Sequence, residues 1–495
     1  MDVAGGNRTD PRSDLHPPSG EKCVVNPKQR RSNILGEYAS DRFMITLGPD
    51  ATYIDPTTQA PRPLDNDRVS ILFHEYVHYL QNIATAAGYH GFRRALDGSR
   101  LFRETVTEDG TSAGSASLTP ERAKWVSQYL EIGDRFDGDV DADLPDTFEV
   151  DSFDVDDVDV VTDDMPIGAL TARLTTIILK GTARDATGAA KDYQYDFGAV
   201  GLMEGMAYEL DQIVARGASG RRTPKYPSPA FPYQVLRKLI TRHIPSADTR
   251  SILRIGCLAL MSNDPAGALM DLCQIANEDL ARGASLEAAI DQVDATQIHA
   301  LQDAITSRDL ADHDQAFQGG TLGKGIAYIN RLFMEHLTAR KHDPCLELMA
   351  LAPDQRVNFD GVRELFERFR PCMVLQQARG RDGKLGRDFL WVSGDDGYSL
   401  RNELAVLHCA LHFMISHLAR NHIVETAQAS PSACPFYTCC TLPLRKTSPV
   451  ICKRRPWRSH TWSGWGTIAR CWYAVSVASS VNGTGVPSGS LTGAS

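Results

Sequence analysis

The hydrophobic residues between positions 65 and 87 crowd several faces of the helix that they predict. The run begins after Asp-Asn-Asp at 65–67, residues that favour a helix N-terminus, and it ends at Gly88 without an intervening proline. A helix that is apolar on most sides is typical of a helix buried on most sides. We therefore predict a buried helix over 65–87, with helical character continuing over 89–106.

Strand-like segments precede this helix at 42–47 and 51–54, and a Gly-Pro-Asp turn lies between them. A strand pair directly before this helix can present an edge to which an extended peptide adds. A small structural hairpin explains the same pattern equally well.

Later apolar patterns indicate mainly helices. One is predicted over 119–133, with Thr119 as its N-cap and Pro120 at its first position. The other predicted helices are 197–217, 233–243, 249–262, 265–282 and 400–424.

Residues 134–164 are strongly acidic, with fourteen acidic residues and one basic residue, Arg135. Part of the stretch alternates between acidic and apolar residues, which is typical of a solvated edge hairpin whose charges prevent aggregation. A calcium-binding loop is the alternative, although the spacing does not match the pattern D-x-[DN]-x-[DN]-G. A solvated insertion accounts better for the sequence.

The composition is that of an ordinary globular protein, with 42% hydrophobic and 23% charged residues among 495. The formal net charge of -10 argues against a general binder of nucleic acid or anionic membranes. No run of about 18 apolar residues predicts a membrane-spanning helix. Residues 1–31 are polar and lack the apolar core of a signal peptide, so we expect them to be disordered and the protein to be cytoplasmic. Its eleven cysteines are then expected to be reduced thiols or metal ligands.

The predicted buried helix carries the pattern His-Glu-x-x-His at His74, Glu75 and His78. Residues four apart lie on one face of a helix, so both imidazoles can point at the same position. Glu75 lies roughly a quarter-turn away and can act on a water without binding the metal. Two neutral ligands, an open coordination position and a nearby carboxylate base are what zinc-assisted hydrolysis requires. Packed or solvated histidines are the alternative, but an unpaired Glu75 in so apolar a helix would cost several kcal/mol.

The helix predicted over 197–217 supplies a further carboxylate, Glu204. Its apolar residues form a stripe that faces the core. Gly198, Gly201 and Gly205 leave one side without bulk, which permits close approach to another helix or to a ligand.

The His-Glu-x-x-His helix and the downstream Leu-x-Glu-Gly-x-Ala helix together resemble the gluzincin group of zinc metallopeptidases, which includes the thermolysin-like proteases and the zinc aminopeptidases. The resemblance covers these two helices only. It implies a zincin-like catalytic core with Zn²⁺ as cofactor and Glu75 as the catalytic base. The implied zinc ligands are His74, His78 and Glu204. The gap of 126 residues between His78 and Glu204 is much longer than in those enzymes, and the acidic stretch fits inside it as an insertion; Glu209 is the nearest alternative ligand.

The predicted fold class is α+β, predominantly helical, with a large helical region beside the catalytic core. The predicted boundaries are 1–31 for a disordered segment, 32–217 for the core including the insertion 134–164, 218–430 for a helical domain, and 431–495 for a basic tail that is rich in Cys and Trp and disordered over 476–495.

The predicted function is amide-bond hydrolysis by a zinc metallopeptidase acting on a peptide or protein substrate. A non-enzymatic interaction protein with a structural or vestigial zinc site is the alternative, and a metal-dependent hydrolase of a non-peptide bond also remains open. Retention of Glu75 favours an enzyme, since a purely structural site does not need a base there. The sequence does not identify the substrate, the mode of cleavage or the oligomeric state.

The tail holds five of the eleven cysteines and four of the six tryptophans. A four-thiolate structural zinc or iron–sulfur site is one interpretation and would add a second metal. Packed free thiols, or a tail without folding constraint, are the alternatives, because the spacing matches no C-x-x-C pair. His408 and His412 share the i,i+4 spacing, but we interpret them as an ordinary helix face. The five tail cysteines are Cys434, Cys439, Cys440, Cys452 and Cys471.

Overall fold

Helices predominate in the structure, a computed structural model of the chain, and two small sheets accompany them. The predicted α+β, mainly helical fold class is confirmed, while the zincin-like topology of the core stays a prediction. The structure describes residues 36–39, 43–48, 69–139, 143–145, 148–167, 170–219, 231–291, 320–370, 373–377, 388–392, 400–419, 421–463 and 470–482. The helices are α1 (Val69–Ala84), α2 (Ala86–Arg103), α3 (Pro120–Asp137), α4 (Ala199–Ser219), α5 (Val235–His243), α6 (Thr249–Leu260), α7 (Pro265–Ala281), α8 (Gly320–His342), α9 (Phe359–Arg368), α10 (Arg401–Ile415), α11 (Pro443–Thr447), α12 (Pro449–Arg454) and α13 (Trp472–Asn482). The strands are β1 (Gly36–Ala39), β2 (Met44–Leu47), β3 (Ser152–Ile167), β4 (Leu170–Arg184), β5 (Ala190–Phe197), β6 (Met373–Gln376) and β7 (Phe389–Val392).

The first sheet joins strands from distant parts of the chain in the order β1-β2-β6-β7. β2 pairs antiparallel with β1 and parallel with β6, where Met44 lies opposite Met373. Within the described residues β1 is therefore an edge strand. The strand predicted over 42–47 is present as β2, its partner β1 was not predicted, and the predicted strand at 51–54 lies outside the described residues.

The second sheet is antiparallel, in the order β3-β4-β5, and β3 places the second half of the acidic stretch at its edge. Two exposed ion pairs cross from β3 to β4, with Asp159 2.8 Å from Lys180 and Asp154 2.7 Å from Arg184. The acidic side chains thus remain in solvent along an edge strand, as the hairpin interpretation expected.

The helix predicted over 65–87 is divided at Thr85. The Thr85 hydroxyl accepts a hydrogen bond from the backbone N–H of Gly88 at 3.0 Å and donates one to the carbonyl of Gln81 at 2.6 Å. A Cβ on Gly88 would lie only 1.9 Å from the carbonyl oxygen of Asn82, so glycine is required at this close approach. α2 begins directly after the cap, and the helical character predicted beyond Gly88 belongs to it.

Three other helices differ from their predicted extents. Thr119 caps α3 as predicted, but the helix continues to Asp137. α10 ends at Ile415 and not at 424, because the following residues turn back and Leu418 bridges to Ile423. α13 runs to Asn482 with its serines buried, so residues 476–482 are helical and not disordered as predicted.

The core forms around α1, as its apolar pattern predicts. Phe73 and Tyr76 are fully buried. The Tyr76 hydroxyl lies 2.6 Å from the carbonyl oxygen of Leu365 and 2.8 Å from that of Phe369, and its ring stacks on Phe366 at 4.0 Å. These partners belong to α9 and its C-cap, so segments on both sides of the predicted boundary at 217/218 share this core; the predicted domain boundaries themselves stay predictions. In the part of the chain that the structure describes, no helix has the length and apolar character needed to cross a membrane.

Candidate metal centre

α1 presents the two histidines of its motif on the face that meets α4. The Nε2 atoms of His74 and His78 lie 3.2 Å apart. Their side chains are 15% and 11% exposed, so both are largely buried yet reachable from solvent. The i,i+4 spacing thus brings both ring nitrogens to one point, which is the geometry expected of a helix.

α4 brings Glu204 to the same point. One carboxylate oxygen, Oε2, lies 3.6 Å from Nε2 of His74 and 3.3 Å from Nε2 of His78. α4 is held in this position partly by Gly205, since a Cβ there would lie 2.4 Å from the Cβ of Leu236 on α5. α4 therefore packs tightly against α5 at Gly205, while the carboxylate of Glu204 lies on the side of α1.

The two helices run antiparallel across the site. Asp211, about two turns beyond Glu204, forms a side-chain hydrogen bond with Ser70 near the start of α1. Near the end of α1, Gln81 donates a hydrogen bond to the carbonyl of Met203, the residue before Glu204. The side chains of His74, His78 and Glu204 lie between these two contacts.

The three donors fit a metal ion in number, type and separation. Ligands about 2.0–2.1 Å from a tetrahedral zinc ion lie about 3.3 Å from one another, and the three observed separations are 3.2, 3.3 and 3.6 Å. Oε2 of Glu204 is buried and makes no hydrogen bond of good geometry within the described residues. Two imidazoles and one carboxylate form a ligand set known from catalytic zinc sites. Among the described residues this is the one group of His, Cys, Asp and Glu side chains whose donor atoms converge in this way.

Charges around the donors favour a cation at this position. Burial lowers the pKa of His74, but the interaction with Glu204 and the charge of Glu75 outweigh it and raise this pKa to about 9. Burial acts to raise the pKa of Glu204, but the two histidines outweigh it and hold this pKa below its ordinary value. Burial also raises the pKa of Asp211 to about 6.

Glu75 follows His74 directly and is 8% exposed. Burial raises the pKa of Glu75 above its ordinary value, and the neighbouring histidines act in the opposite direction without outweighing it. A carboxyl group that is buried beside the donors, and whose pKa lies above the ordinary range, is suited to exchanging a proton there.

No family model matches this chain, and the comparisons with curated proteins and with solved structures found no match. The geometry and chemistry of the site therefore carry the functional proposal.

Other candidate residues are engaged elsewhere. Glu209, the alternative third ligand, is 5% exposed and accepts a hydrogen bond from Nε of Arg237 at 2.6 Å. His412 shares hydrogen bonds with the hydroxyls of Tyr473 at 3.0 Å and Ser432 at 2.9 Å, which agrees with its interpretation as part of a packed helix face.

The tail cysteines are packed, and burial raises the pKa values of Cys439, Cys452 and Cys471 to about 12. Within the described residues their sulfur atoms do not converge as the donors of the His-Glu site do. The four-thiolate site therefore stays a prediction.

Several residues around the centre were not identified from the sequence. The ring of Tyr38 on β1 stacks on that of His78 with 6.4 Å between the ring centroids, and the ring of Tyr233 meets that of His74 edge-on with 5.9 Å between the centroids. Both come from segments whose approach to α1 the local sequence does not reveal. Gln81 is different, because its position three residues after His78 places it on the same helix face.

Proposed function

We propose that this protein is a zinc-dependent hydrolase, and specifically a metallopeptidase. The observation that carries the proposal is the convergence of His74, His78 and Glu204 from two helices, at separations that match a tetrahedral zinc ion. The buried Glu75 beside them supports a catalytic site over a structural one, because a purely structural site has no use for a second carboxylate that does not bind the metal.

His74, His78 and Glu204 would hold the zinc ion, which would supply Lewis-acid chemistry for the attack of water on a carbonyl. Glu75 is the residue that accepts the proton of the attacking water and returns it to the leaving amine. Burial of the two histidines and of Oε2 of Glu204 limits competing water at the donor atoms. The ring of Tyr233 lies 5.9 Å from that of His74 and 5.8 Å from that of Tyr208, between ring centroids, and this pair of tyrosines would be the first aromatic surface available to a substrate beside His74.

The edge strand β1 supports a peptide as the substrate. β1 pairs with β2 on one side, and within the described residues its other side has no neighbouring strand. Tyr38 of this strand stacks on the zinc ligand His78. An extended peptide that adds to β1 would therefore run beside the metal centre, and main-chain hydrogen bonds would hold it there.

A cytoplasmic location is part of the proposal. None of the nine described cysteines forms a disulfide, and reduced thiols are typical of that compartment.

Zinc stoichiometry is the first test. We expect one equivalent in the wild-type protein and its loss in His74→Ala prepared in the same way, with the fold retained. Equal zinc in both proteins would exclude this site.

Activity separates the enzyme from a non-catalytic zinc protein. We expect hydrolysis of a mixed peptide library that a chelator abolishes and zinc restores. Glu75→Gln should keep its zinc and lose about 10²–10⁴-fold in kcat, the usual contribution of a general base. Near-normal hydrolysis by Glu75→Gln would refute the mechanism, and zinc binding without hydrolysis of any peptide would favour an interaction protein.

A further inference from the structure

We propose that Gln81 is a positioning residue that fixes the tautomer of His78 and ties it to the helix segment that carries Glu204. This inference rests on the proposed zinc function. It begins from two contacts of one side chain: Oε1 of Gln81 lies 3.2 Å from Nδ1 of His78, and Nε2 of Gln81 lies 3.3 Å from the carbonyl oxygen of Met203.

The carbonyl of Met203 decides which way the Gln81 amide points. A carbonyl oxygen can only accept a hydrogen bond, so the NH₂ group of Gln81 must face it. The amide oxygen then faces His78. Gln81 is 0% exposed, and an amide buried without partners would cost several kcal/mol, so this orientation is strongly favoured.

The orientation of the amide in turn fixes the imidazole. An amide oxygen accepts only, so Nδ1 of His78 must carry a hydrogen and donate it. In the neutral ring the other nitrogen, Nε2, is then an unprotonated acceptor. That is the nitrogen that points at His74 and Glu204, and it is in the form that a metal requires. The 3.2 Å contact between the two Nε2 atoms is consistent with this assignment, with His74 supplying the hydrogen.

The same side chain links the two helices that supply ligands. Met203 directly precedes Glu204, and its carbonyl has a second lone pair available beside the helical hydrogen bond. Gln81 thus holds the α4 backbone next to Glu204 at a fixed distance from His78. A side chain that orients a ligand in this way is typically worth 10–100-fold in metal affinity.

Two substitutions separate the roles of Gln81. Gln81→Met removes both hydrogen bonds with little change in volume, and we expect a 10–100-fold loss of zinc affinity in competition with a fluorescent chelator. Gln81→Glu keeps an acceptor for Nδ1 of His78 but faces the Met203 carbonyl with a second acceptor. We expect it to retain most of the zinc affinity while unfolding at a lower temperature. The matched control is Asn358→Leu, because the Asn358 amide also uses both ends, donating to the carbonyl of Met349 and accepting from the N–H of Gly361, and neither partner is a metal donor. Its zinc affinity should stay close to wild type.

Equal affinity in wild type and Gln81→Met would overturn the proposal. Equal losses in Gln81→Met and Gln81→Glu would also overturn it, because the tautomer would then not be what Gln81 controls.

A measurement on the metal-free wild-type protein keeps the test independent of variant folding. Nitrogen-15 spectra of histidine-labelled protein, with the His78 signals identified by their loss in His78→Gln, report which ring nitrogen is protonated. We expect a protonated Nδ1 and an unprotonated Nε2, and the opposite tautomer would refute the assignment. Absence of zinc from the wild-type protein would instead count against the proposed function, so the two failures are distinguishable.

Discussion

Replacement of the buried Arg340 provides a sharp test of how the scaffold around the site is stabilised. The side chains of Arg340 and Glu347 are both 0% exposed. The guanidinium contacts the two carboxylate oxygens at 2.9 and 2.5 Å and donates a further hydrogen bond to the carbonyl of Pro344 at 2.8 Å. The Cys257 thiol donates to the same carboxylate at 3.1 Å. Glu347 lies in the short 3₁₀ helix Leu346–Ala350, which contacts α4, α6 and α9 and so supports the helix that carries Glu204.

The expected magnitude follows from what each variant leaves behind. Burial acts to raise the pKa of Glu347, but Arg340 outweighs it and holds this pKa below the ordinary value. Arg340→Met leaves that carboxylate buried without its cation, which typically costs about 3–5 kcal/mol. The double variant Arg340→Met/Glu347→Leu removes both charges together with their desolvation cost. We expect it to lie within about 1 kcal/mol of wild type or above it.

Urea unfolding of the wild type, both single variants and the double variant, followed by circular dichroism, measures these differences as a double-mutant cycle. A loss of less than about 1 kcal/mol in Arg340→Met would show that the buried carboxylate finds another partner. A double variant as unstable as the sum of the two single variants would show that the residues are not energetically coupled. Either result would refute the reasoning.

Three further predictions concern the helices and the pH dependence of stability. Gly205→Ala should destabilise the protein by about 1–3 kcal/mol in a urea titration and lower zinc affinity, because the new Cβ would lie 2.4 Å from the Cβ of Leu236. The control is Gly91→Ala, whose Cβ would meet open space in the interior of α2. In the same titration it should be neutral or stabilising by about 0.5–1 kcal/mol. Thr85→Ala should cost about 1 kcal/mol because the first turn of α2 loses its cap, and an unchanged urea midpoint would contradict that role. Burial lowers the pKa of His336 to about 3, so between that value and the unfolded value of about 6.5 the unfolded state binds more protons. The free energy of unfolding that depends on a neutral His336 is therefore fully present above about pH 6.5 and is lost as the pH falls towards 3. His336→Leu should make the free energy of unfolding fall less steeply with pH over this range. An unchanged slope would refute the role of His336 in the acid sensitivity.

The part of the site that was predictable from the sequence is the part set by helical periodicity. Four-residue spacing places His74 and His78 on one face whatever surrounds the helix. The same rule places Gln81 on that face, although nothing in the spacing says that its amide would meet the carbonyl of Met203. The role of Glu204 rests on a resemblance of short motifs, since no local pattern determines which of the two glutamates on α4 turns towards α1. Arg237 of α5 explains which glutamate faces α1, because it donates a hydrogen bond to Glu209 on the side of α4 that faces α5.

The parts that were not predictable depend on contacts between distant segments. β2 is parallel to β6, more than three hundred residues later in the chain, and a four-residue strand such as Met373–Gln376 carries too little pattern to reveal its partner. The break at Thr85 depends on one hydroxyl and one glycine inside an otherwise continuous helical pattern. In each case the local sequence permits the observed structure without requiring it.

The burial of α1 shows why the candidate metal centre depends on both halves of the chain. His74 and His78 face α4, which lies in the predicted catalytic core, whereas Tyr76 on another face of α1 contacts Leu365, Phe366 and Phe369. Burying an aromatic side chain of this size contributes about 1.5–3 kcal/mol, and the ring stack and the hydroxyl contacts add to it. α1 could not keep its orientation towards α4 if that opposite face were in water. The residues of α9 therefore help to hold His74 and His78 in place, although none of them belongs to the group of candidate metal donors among the described residues.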